Sequence, residues 1–312
     1  MKISVIIPLF NKAAYIERAL ASVAAQTFTD YEVIVIDDGS TDGGAAVAAN
    51  SRDPRVRVLS QPNTGPGAAR NRGLAEASGE FIAFLDADDE WLPDFLLRAL
   101  AVLESGASLV GNGYYEYPNG NSTEQFWRRR GLNDGMYRLS AKTSPRFAVH
   151  LLAYLSPWSI LARTEVIRRW GGFYERGRCL YGEDSFLFLK ILLNETIAVN
   201  MQPLARYHRE ASELSIGKRS PRPVEPMLIE ADEIKAACPP DLRGLLAGIL
   251  AIRAEKTACM LGYWGRRREA RTLLGRFQSR PAWTRKTYWL ARTAASPLAP
   301  IGGWCMRNLA RQ

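Results

Sequence analysis

The sequence predicts an α/β fold with a mostly parallel central sheet and a C-terminal helical extension. Apolar runs of strand length alternate with helical patterns over residues 3–89. These runs are apolar throughout, as in parallel sheets that are covered by helices on both faces. From residue 226 onward the pattern is mostly helical and contains no further acidic cluster.

The first elements alternate strictly along the chain. "ISVIIPLF" predicts a strand, and "NKAAYIERALASVAAQ" predicts a helix with Ile16, Leu20 and Val23 on one face. "YEVIVIDD" predicts a second strand, which a turn and a weak Ala-rich helix over "GSTDGGAAVAANS" connect to the short strand "VRVLSQ". "GPGAARNRGLAEAS" predicts a helix, and "EFIAFLDADD" predicts the next strand.

The pattern loosens after residue 105. "GNGYYEYPNGNSTEQFWRRRGLNDG" is polar, aromatic and Gly-rich, and it is more typical of a substrate-facing insertion than of a core. Helical patterns resume in "SPRFAVHLLAYL" and "RTEVIRRWGGF". We therefore expect a domain over residues 1–225, with halves at 1–115 and 116–225, and a basic helical region over 226–312.

Composition excludes several classes of protein. The chain has 312 residues, of which 47% are hydrophobic and 23% charged, as in ordinary globular proteins. No run approaches the roughly 20 apolar residues that cross a bilayer, and "KISVIIPLF" is too short and too early for a signal peptide. The four cysteines show no paired spacing, so we expect reduced thiols in a cytoplasmic protein rather than zinc or disulfides.

The positive charge is concentrated at one end of the chain. Residues 1–240 contain 27 basic and 29 acidic side chains, whereas residues 241–312 contain 14 basic and 3 acidic ones. Aromatic residues are interleaved with these basic residues: Tyr263, Trp264, Trp283, Tyr288, Trp289 and Trp304. Interfacial helices have this composition, which predicts peripheral binding to the anionic inner face of the cell membrane. The alternative is a helical cap with buried tryptophans; no nucleic-acid motif accompanies the charge.

Acidic residues follow two of the predicted strands. Asp37 and Asp38 end one strand, and Asp86, Asp88 and Asp89 follow another. Ligands of open α/β sheets bind at the carboxyl ends of strands. Neighbouring carboxylates repel each other, and Mg²⁺ or Mn²⁺ shared with a diphosphate would relieve that repulsion. Either cluster alone could also be only a turn or a helix start.

Four segments together resemble the inverting family-2 glycosyltransferases. They are "SVIIPLFNKAAYIERALASVAAQTFTDYEVIVIDDGSTD", "NTGPGAARNRG", "GEFIAFLDADDEWLP" and "YGEDSFLFLKI". The match is strong over residues 3–115 and looser over 155–215. The resemblance implies the nucleotide-sugar-binding GT-A fold, with a donor half over 1–115 and an acceptor half over 116–225. It also implies a UDP-sugar donor and Mn²⁺ or Mg²⁺ bound at the Asp-x-Asp (DXD) motif.

The resemblance assigns roles to individual positions. Pro8 and Phe10 would pack on the uridine, and Asp38 would accept the uracil N–H. The remaining donor-binding positions are Asn63, Arg70, Asp86, Ala87 and Asp88. Asp88 would be a direct metal ligand with Asp86 beside it, and His208 would approach the metal, although lone histidines are more often structural.

Asp184 matches the catalytic base of that family. Inversion requires a carboxylate that removes the proton of the acceptor hydroxyl as it attacks the anomeric carbon. Glu183 and Asp184 could also be only the acidic start of a helix. Trp158 and Glu183 are candidate acceptor contacts, as is Trp170, although single tryptophans are usually buried.

The resemblance implies transfer of one sugar to a glycan or lipid-linked glycan in cell-surface polysaccharide or lipopolysaccharide synthesis. The chain lacks the Gln-x-x-Arg-Trp element of processive relatives, because Val166 precedes Arg169 and Trp170. Alternatives are a nucleotidyltransferase, disfavoured by the absence of glycine in "PLFNKAAYIERAL", and a non-catalytic nucleotide-binding or membrane-scaffold protein of the same fold.

Overall fold

The computed structural model describes residues 1–211 and 222–277. The chain divides into two compact units. The first comprises Met1–Leu139 and His150–Ser215, and the second comprises Ser140–Val149 and Ile216–Gln312, each where described. The second unit therefore includes a short segment from the predicted acceptor half as well as the C-terminal region.

Four parallel strands form one half of the sheet in the first unit. They are β1 (Ile3–Leu9), β2 (Tyr31–Asp37), β3 (Val56–Ser60) and β4 (Phe81–Phe84), in the spatial order β3-β2-β1-β4. All residues of β2 and β4 are buried. β4 is wholly apolar, whereas β2 also buries Asp37 and Glu32, whose carboxylate accepts hydrogen bonds from the hydroxyls of Ser4 and Ser78. The predicted parallel arrangement is confirmed here. It brings the carboxyl ends of β2, β1 and β4 side by side.

Four helices accompany these strands, and the sequence predicts the first three. They are α1 (Ala13–Ala24), α2 (Gly44–Ala49), α3 (Pro66–Glu76) and α4 (Phe95–Glu104), with a two-residue strand β5 (Glu90–Trp91) before α4. The buried face of α1 includes Ile16, Leu20 and Val23, as its spacing predicts. Helices α1, α2 and α4 share one hydrophobic core with β1, β2 and β4.

The following elements come next along the chain, and their strands extend the same sheet. They are β6 (Leu109–Tyr117), β7 (Asn121–Ser122), α5 (Glu124–Arg128), β8 (Gly135–Tyr137), α6 (Pro145–Tyr154), β9 (Ile160–Arg163), α7 (Thr164–Arg169), α8 (Glu183–Asn194) and β10 (Ile197–His208). The main strand order continues from β4 through β9, β6 and β10 to β5. β9 is antiparallel to both neighbours, whereas β6 and β10 are parallel to each other. The predicted insertion therefore begins in a core strand, because Leu109–Gly113 are buried.

The second unit is helical where it is described. Its C-terminal part contains α9 (Pro226–Ile229), α10 (Ala231–Ala237), α11 (Arg243–Tyr263) and α12 (Arg267–Arg276). Arg253 on α11 forms a buried ion pair with Glu225 at 2.6 Å. None of the described helices has both the length and the apolar character needed to cross a bilayer. Tyr263 and Trp264 are half-buried, whereas Trp283, Tyr288, Trp289 and Trp304 lie outside the described residues.

Candidate active site

A cavity of about 270 Å³ opens at the carboxyl ends of β2, β1 and β4. All eight residues predicted to bind the donor line this cavity: Pro8, Phe10, Asp38, Asn63, Arg70, Asp86, Ala87 and Asp88. Phe10 is 40% exposed, so an aromatic face is available at the cavity. Separate sequence segments thus converge on one concave surface, as the sheet topology requires.

Asp38 organises the loop between β3 and α3. Its carboxylate accepts the backbone N–H groups of Thr64 at 2.9 Å and Gly65 at 2.8 Å, and the side-chain amide of Gln61 at 2.8 Å. The side chain is buried because these donors surround it. Replacing Asp38 would therefore release the loop as well as remove any contact with a ligand. The predicted uracil contact stays a prediction.

Asn63, in that same loop, has an unsatisfied acceptor. Its Oδ1 atom is buried and has no hydrogen-bond partner in the described structure. Buried polar atoms in native proteins nearly always have partners, so an orphaned acceptor in a cavity wall is well suited to a ligand N–H or O–H group. This geometry is compatible with the predicted contact of Asn63 with the base or ribose.

Arg70 connects the cavity to the start of α8. Its Nη2 atom lies 2.7 Å from Asp86 Oδ1, and its Nη1 atom lies 2.9 Å from Glu183 Oε1. Burial lowers the pKa of Arg70, but Asp86 and Glu183 outweigh it and raise the pKa above its usual value. Burial and the adjacent Asp184 raise the pKa of Glu183 to about 7, against the opposing effect of Arg70. Glu183 is thus an internal ion-pair partner in this structure rather than an exposed acceptor contact.

Asp88 lies beside a lysine that the sequence analysis did not identify. Lys12 Nζ is 3.2 Å from Asp88 Oδ2, and it also donates to the carbonyl of Ala211 at 2.6 Å. Burial and the nearby Asp86 carboxylate raise the pKa of Asp88, although Lys12 opposes them. Burial and the same carboxylates raise the pKa of Asp89 well above its usual range. Burial and repulsion between carboxylates thus disfavour the charged forms of Asp88 and Asp89 at this edge of the cavity.

The carboxylates of Asp86 and Asp88 fit a divalent cation. Across residues 1–211 and 222–277, no group of three or more His, Cys, Asp or Glu side chains could hold a metal ion. Mg²⁺ typically takes only one or two carboxylates and completes its shell with waters and substrate phosphates. The donor set thus suits an ion that protein and diphosphate hold together. The metal itself stays a prediction.

His208, the third predicted metal ligand, has other partners. Its Nε2 atom lies 2.7 Å from Glu90, and its Nδ1 atom lies 2.7 Å from Glu210. Its backbone N–H donates to Asp89, and its ring stacks on Tyr117. Both ring nitrogens are therefore engaged, and metal binding would require one of these pairs to open.

Asp184 is the second residue of α8, directly after Glu183, whose side chain Arg70 holds. Its Oδ1 atom accepts the backbone N–H of Ser185 at 2.6 Å. Asp184 therefore lies in the first turn of a helix, and this position is compatible with the predicted role as catalytic base. Through Glu183 and Arg70, the backbone at Asp184 is tied to Asp86 in the donor cavity.

Trp158, a candidate acceptor contact, is buried, as single tryptophans usually are. Trp158 is 7% exposed and belongs to the hydrophobic core. Its ring stacks on Tyr207 at 5.2 Å and meets the edge of Tyr114. Trp170 is half-buried, and its indole N–H donates to Glu195 at 3.0 Å. Neither tryptophan is among the residues that line the cavity.

The sequence analysis missed seven residues in the cavity wall, including Leu9, Gly65, Pro66 and Ala69. Lys12, Arg178 and Leu180 line it together with the predicted set. Lys12 could have been found, because it follows β1 at the edge where ligands are expected. Arg178 and Leu180 lie in a segment without a periodic pattern, so nothing local in the sequence marks them.

A family model described as glycosyl transferase family 2 matches residues 4–170, more than half of the chain. The chain belongs to glycosyl transferase family 2. The matched region extends from β1 through α7 and so includes all four parallel strands of the donor half. Membership accounts for the convergence of the predicted donor residues on one cavity.

Two curated relatives match part of this chain. The succinoglycan biosynthesis protein ExoW of Rhizobium meliloti is 50% identical over 105 residues, 31% of this chain and 33% of that protein. A GalNAc(5)-diNAcBac-PP-undecaprenol beta-1,3-glucosyltransferase of Campylobacter jejuni is 39% identical over 130 residues, 40% of this chain and 42% of that protein. The matches thus span less than half the length of these relatives.

A solved structure shares the fold over nearly the whole chain. The crystal structure of S. aureus TarS 1-349 in complex with UDP-GlcNAc has a TM-score of 0.73 and 25% sequence identity. It covers 95% of this chain, and this chain covers 88% of it. The mixed sheet with its parallel donor half is therefore the GT-A fold, as predicted.

Proposed function

We propose that the protein is an inverting, metal-dependent glycosyltransferase that moves one sugar from a UDP-sugar to a hydroxyl group of a glycan or lipid-linked glycan. The observation that carries this proposal is the single cavity lined by all eight predicted donor residues. The family membership supports sugar transfer, and the TarS complex with UDP-GlcNAc supports a UDP-sugar donor.

In this proposal one side of the cavity binds the nucleoside of the donor, and the other side binds its diphosphate. Phe10 and Pro8 pack on the base, and the orphaned Oδ1 atom of Asn63 accepts a hydrogen bond from the nucleoside. Asp86 and Asp88 would hold Mn²⁺ or Mg²⁺. When bound, the ion neutralises negative charge on the departing diphosphate.

Asp184 is the proposed base. It takes the proton of the acceptor hydroxyl as the hydroxyl oxygen bonds to the anomeric carbon and the bond from that carbon to the diphosphate breaks. A positioned base of this kind typically raises the reaction rate 10²–10⁴-fold. Arg70 and Glu183 act as positioning residues, because they tie the first turn of α8 to Asp86. These ion pairs fix the position of the proposed base, Asp184, relative to Asp86 in the cavity.

The proposed acceptor is a cell-surface glycan or its lipid-linked precursor, made at the cytoplasmic face of the membrane. The printed names of two relatives, a succinoglycan biosynthesis protein and an undecaprenol-linked glucosyltransferase, support this acceptor class. The basic, aromatic composition of residues 241–312 supports peripheral attachment to anionic lipids.

A donor screen tests the function. The full chain is incubated with Mn²⁺ and a panel of UDP-, GDP-, CDP- and TDP-sugars, and release of free nucleotide is measured with and without glycan acceptors. We expect UDP release from at least one UDP-sugar, because the cavity carries the full predicted donor set. Release from only another nucleotide-sugar would overturn the uridine assignment, and no release from any would contradict the enzyme proposal.

A vesicle experiment tests the membrane proposal. The full chain should co-sediment with anionic vesicles at low salt, and binding should weaken at high salt because surface charges are screened. Each Lys or Arg near an anionic surface contributes about 1 kcal/mol. The triple substitution of Arg266, Arg267 and Arg268 by Ser should therefore reduce binding.

The matched control replaces Arg128, Arg129 and Arg130, a second run of three arginines, which is exposed and lies in the first unit. It should leave vesicle binding unchanged. Equal binding to neutral vesicles, or none to either kind, would leave the C-terminal region with only a structural role.

A further inference from the structure

Helix α3 anchors both ends of the loop between α7 and α8, here termed the 173–183 loop. Asn71 accepts the N–H of Phe173 and donates to its carbonyl, each at 2.8 Å, and it also donates to Glu175 at 2.7 Å. At the other end, Arg70 holds Glu183 at 2.9 Å. Two adjacent residues of one helix thus fix where this loop begins and ends.

Two glycines allow the loop to pass close to the cavity. A Cβ atom at Gly67 would lie 2.4 Å from the carbonyl oxygen of Tyr174. One at Gly65 would lie 3.3 Å from the carbonyl oxygen of Cys179, and Gly65 has a positive φ of 99°. Side chains at these positions would push the loop outward, so the glycines of "TGPGAAR" position it at the cavity wall.

The middle of the loop presents a cation. Arg178 lines the cavity, and it has a φ of +52°, a left-handed conformation that non-glycine residues rarely adopt. Such conformations persist where the surrounding structure fixes them, and they are concentrated at functional sites. Leu180, also in the wall, is 44% exposed. The loop thus offers one cation and one apolar side chain to a ligand.

Arg178 differs from the other two cations in the cavity wall. Lys12 is paired with Asp88, and Arg70 is paired with Asp86 and Glu183. Within residues 1–211 and 222–277, the Arg178 guanidinium has neither a hydrogen bond nor an ion pair. Its charge is therefore available to a ligand, whereas theirs are already balanced.

We propose that Arg178 binds a phosphate group of the donor's nucleoside diphosphate. A guanidinium presents a planar pair of donors that matches phosphate oxygens, and a charged partner gives the stronger hydrogen bonds. The uracil ring of the donor is uncharged, so it offers no negative charge to the Arg178 guanidinium. Donor identity here rests on the proposed function, but the role of Arg178 requires only that the donor carries a diphosphate.

The test compares ligands that differ in phosphate. Binding of UDP and of uridine is measured by calorimetry in the presence of Mn²⁺ for the wild type, Arg178→Asn and Arg178→Lys. Asn tolerates the left-handed backbone, so the fold should be retained, and thermal unfolding verifies this. We expect Arg178→Asn to weaken UDP binding by about tenfold or more and to leave uridine binding unchanged. Arg178→Lys should weaken UDP binding less than Arg178→Asn does, because lysine keeps the positive charge.

Arg176→Gln is the matched control, because Arg176 belongs to the same loop but packs over the Tyr174 ring and does not line the cavity. It should bind UDP as the wild type does. Unchanged UDP binding in Arg178→Asn, or an equal loss for UDP and uridine, would overturn the phosphate assignment. A loss confined to UDP-glucuronic acid, with UDP and UDP-glucose unaffected, would assign Arg178 to a sugar carboxylate instead and also overturn it.

The nucleotide panel separates the two proposals. If the wild type binds GDP, CDP or TDP but not UDP, the uridine assignment fails, and the Arg178 comparison is made with the nucleotide that binds and its nucleoside. If the wild type binds none of these diphosphates, both proposals are contradicted.

Discussion

Asp184→Asn is expected to lower turnover by at least ~10²-fold while UDP binding survives. Asn cannot take the proton of the acceptor hydroxyl at neutral pH, but its amide oxygen can still accept the Ser185 N–H as Asp184 Oδ1 does at 2.6 Å. The start of α8 and its link to Arg70 through Glu183 should therefore be preserved. Turnover is measured as UDP release with acceptor, and binding is measured by calorimetry.

Glu165→Gln is the control for Asp184→Asn. Glu165 is an exposed carboxylate in the first turn of α7, so its replacement removes a comparable favourable interaction with a helix dipole, worth about 0.3–1 kcal/mol. Turnover should stay unchanged in this control. Near-normal turnover in Asp184→Asn would show that another group deprotonates the acceptor.

The donor half of the fold could be predicted because each local signal agrees with the tertiary structure. β2 and β4 are buried along their whole length, so β4 is wholly apolar and β2 has an apolar run over residues 33–36. They also end in acids at the carboxyl edge where ligands bind. The acidic clusters at Asp38 and Asp86 meet at that edge because β1 pairs with both β2 and β4, whereas Pro8 is assigned only through the family resemblance.

The acceptor half could be predicted less well because its strands have mixed environments. β6 begins with buried residues and ends in the half-buried run Tyr114–Tyr117, so its sequence resembles a polar loop. β9 has only four residues, and its antiparallel pairing with both neighbours carries no local signal. Trp158 shows the same limitation, since an isolated tryptophan does not reveal which rings will cover it.

The site geometry depends on contacts that are distant in sequence. Arg70 reaches Glu183 across 113 positions, and Gly67 is required by the carbonyl of Tyr174. Sequence motifs indicate that such residues matter without indicating their partners. The position of the 173–183 loop, and with it the free charge of Arg178, therefore emerges only from the structure.

Asp88→Asn is the second substitution with a large expected effect. We expect it to abolish sugar transfer and to weaken binding of Mn²⁺ in the presence of UDP by at least ~10-fold, since charge-assisted contacts to metal and diphosphate depend on the carboxylate. The change also leaves Lys12, which lies 3.2 Å from Asp88, without its carboxylate partner. Mn²⁺ binding is followed by electron paramagnetic resonance, which reports on free Mn²⁺ independently of turnover.

Lys12→Gln distinguishes loss of the metal ligand from loss of the ion pair. This variant breaks the same pair but keeps the carboxylate, so Mn²⁺ binding should persist or strengthen once the competing ammonium is gone. Asp30→Asn is a neutral control, because Asp30 is exposed at the opposite end of β2 from the cavity. Full activity of the wild type in excess EDTA, or unchanged Mn²⁺ binding in Asp88→Asn, would contradict the metal-dependent mechanism. Asp88 would then act chiefly as the partner that holds Lys12, and through it the carbonyl of Ala211, at the cavity edge.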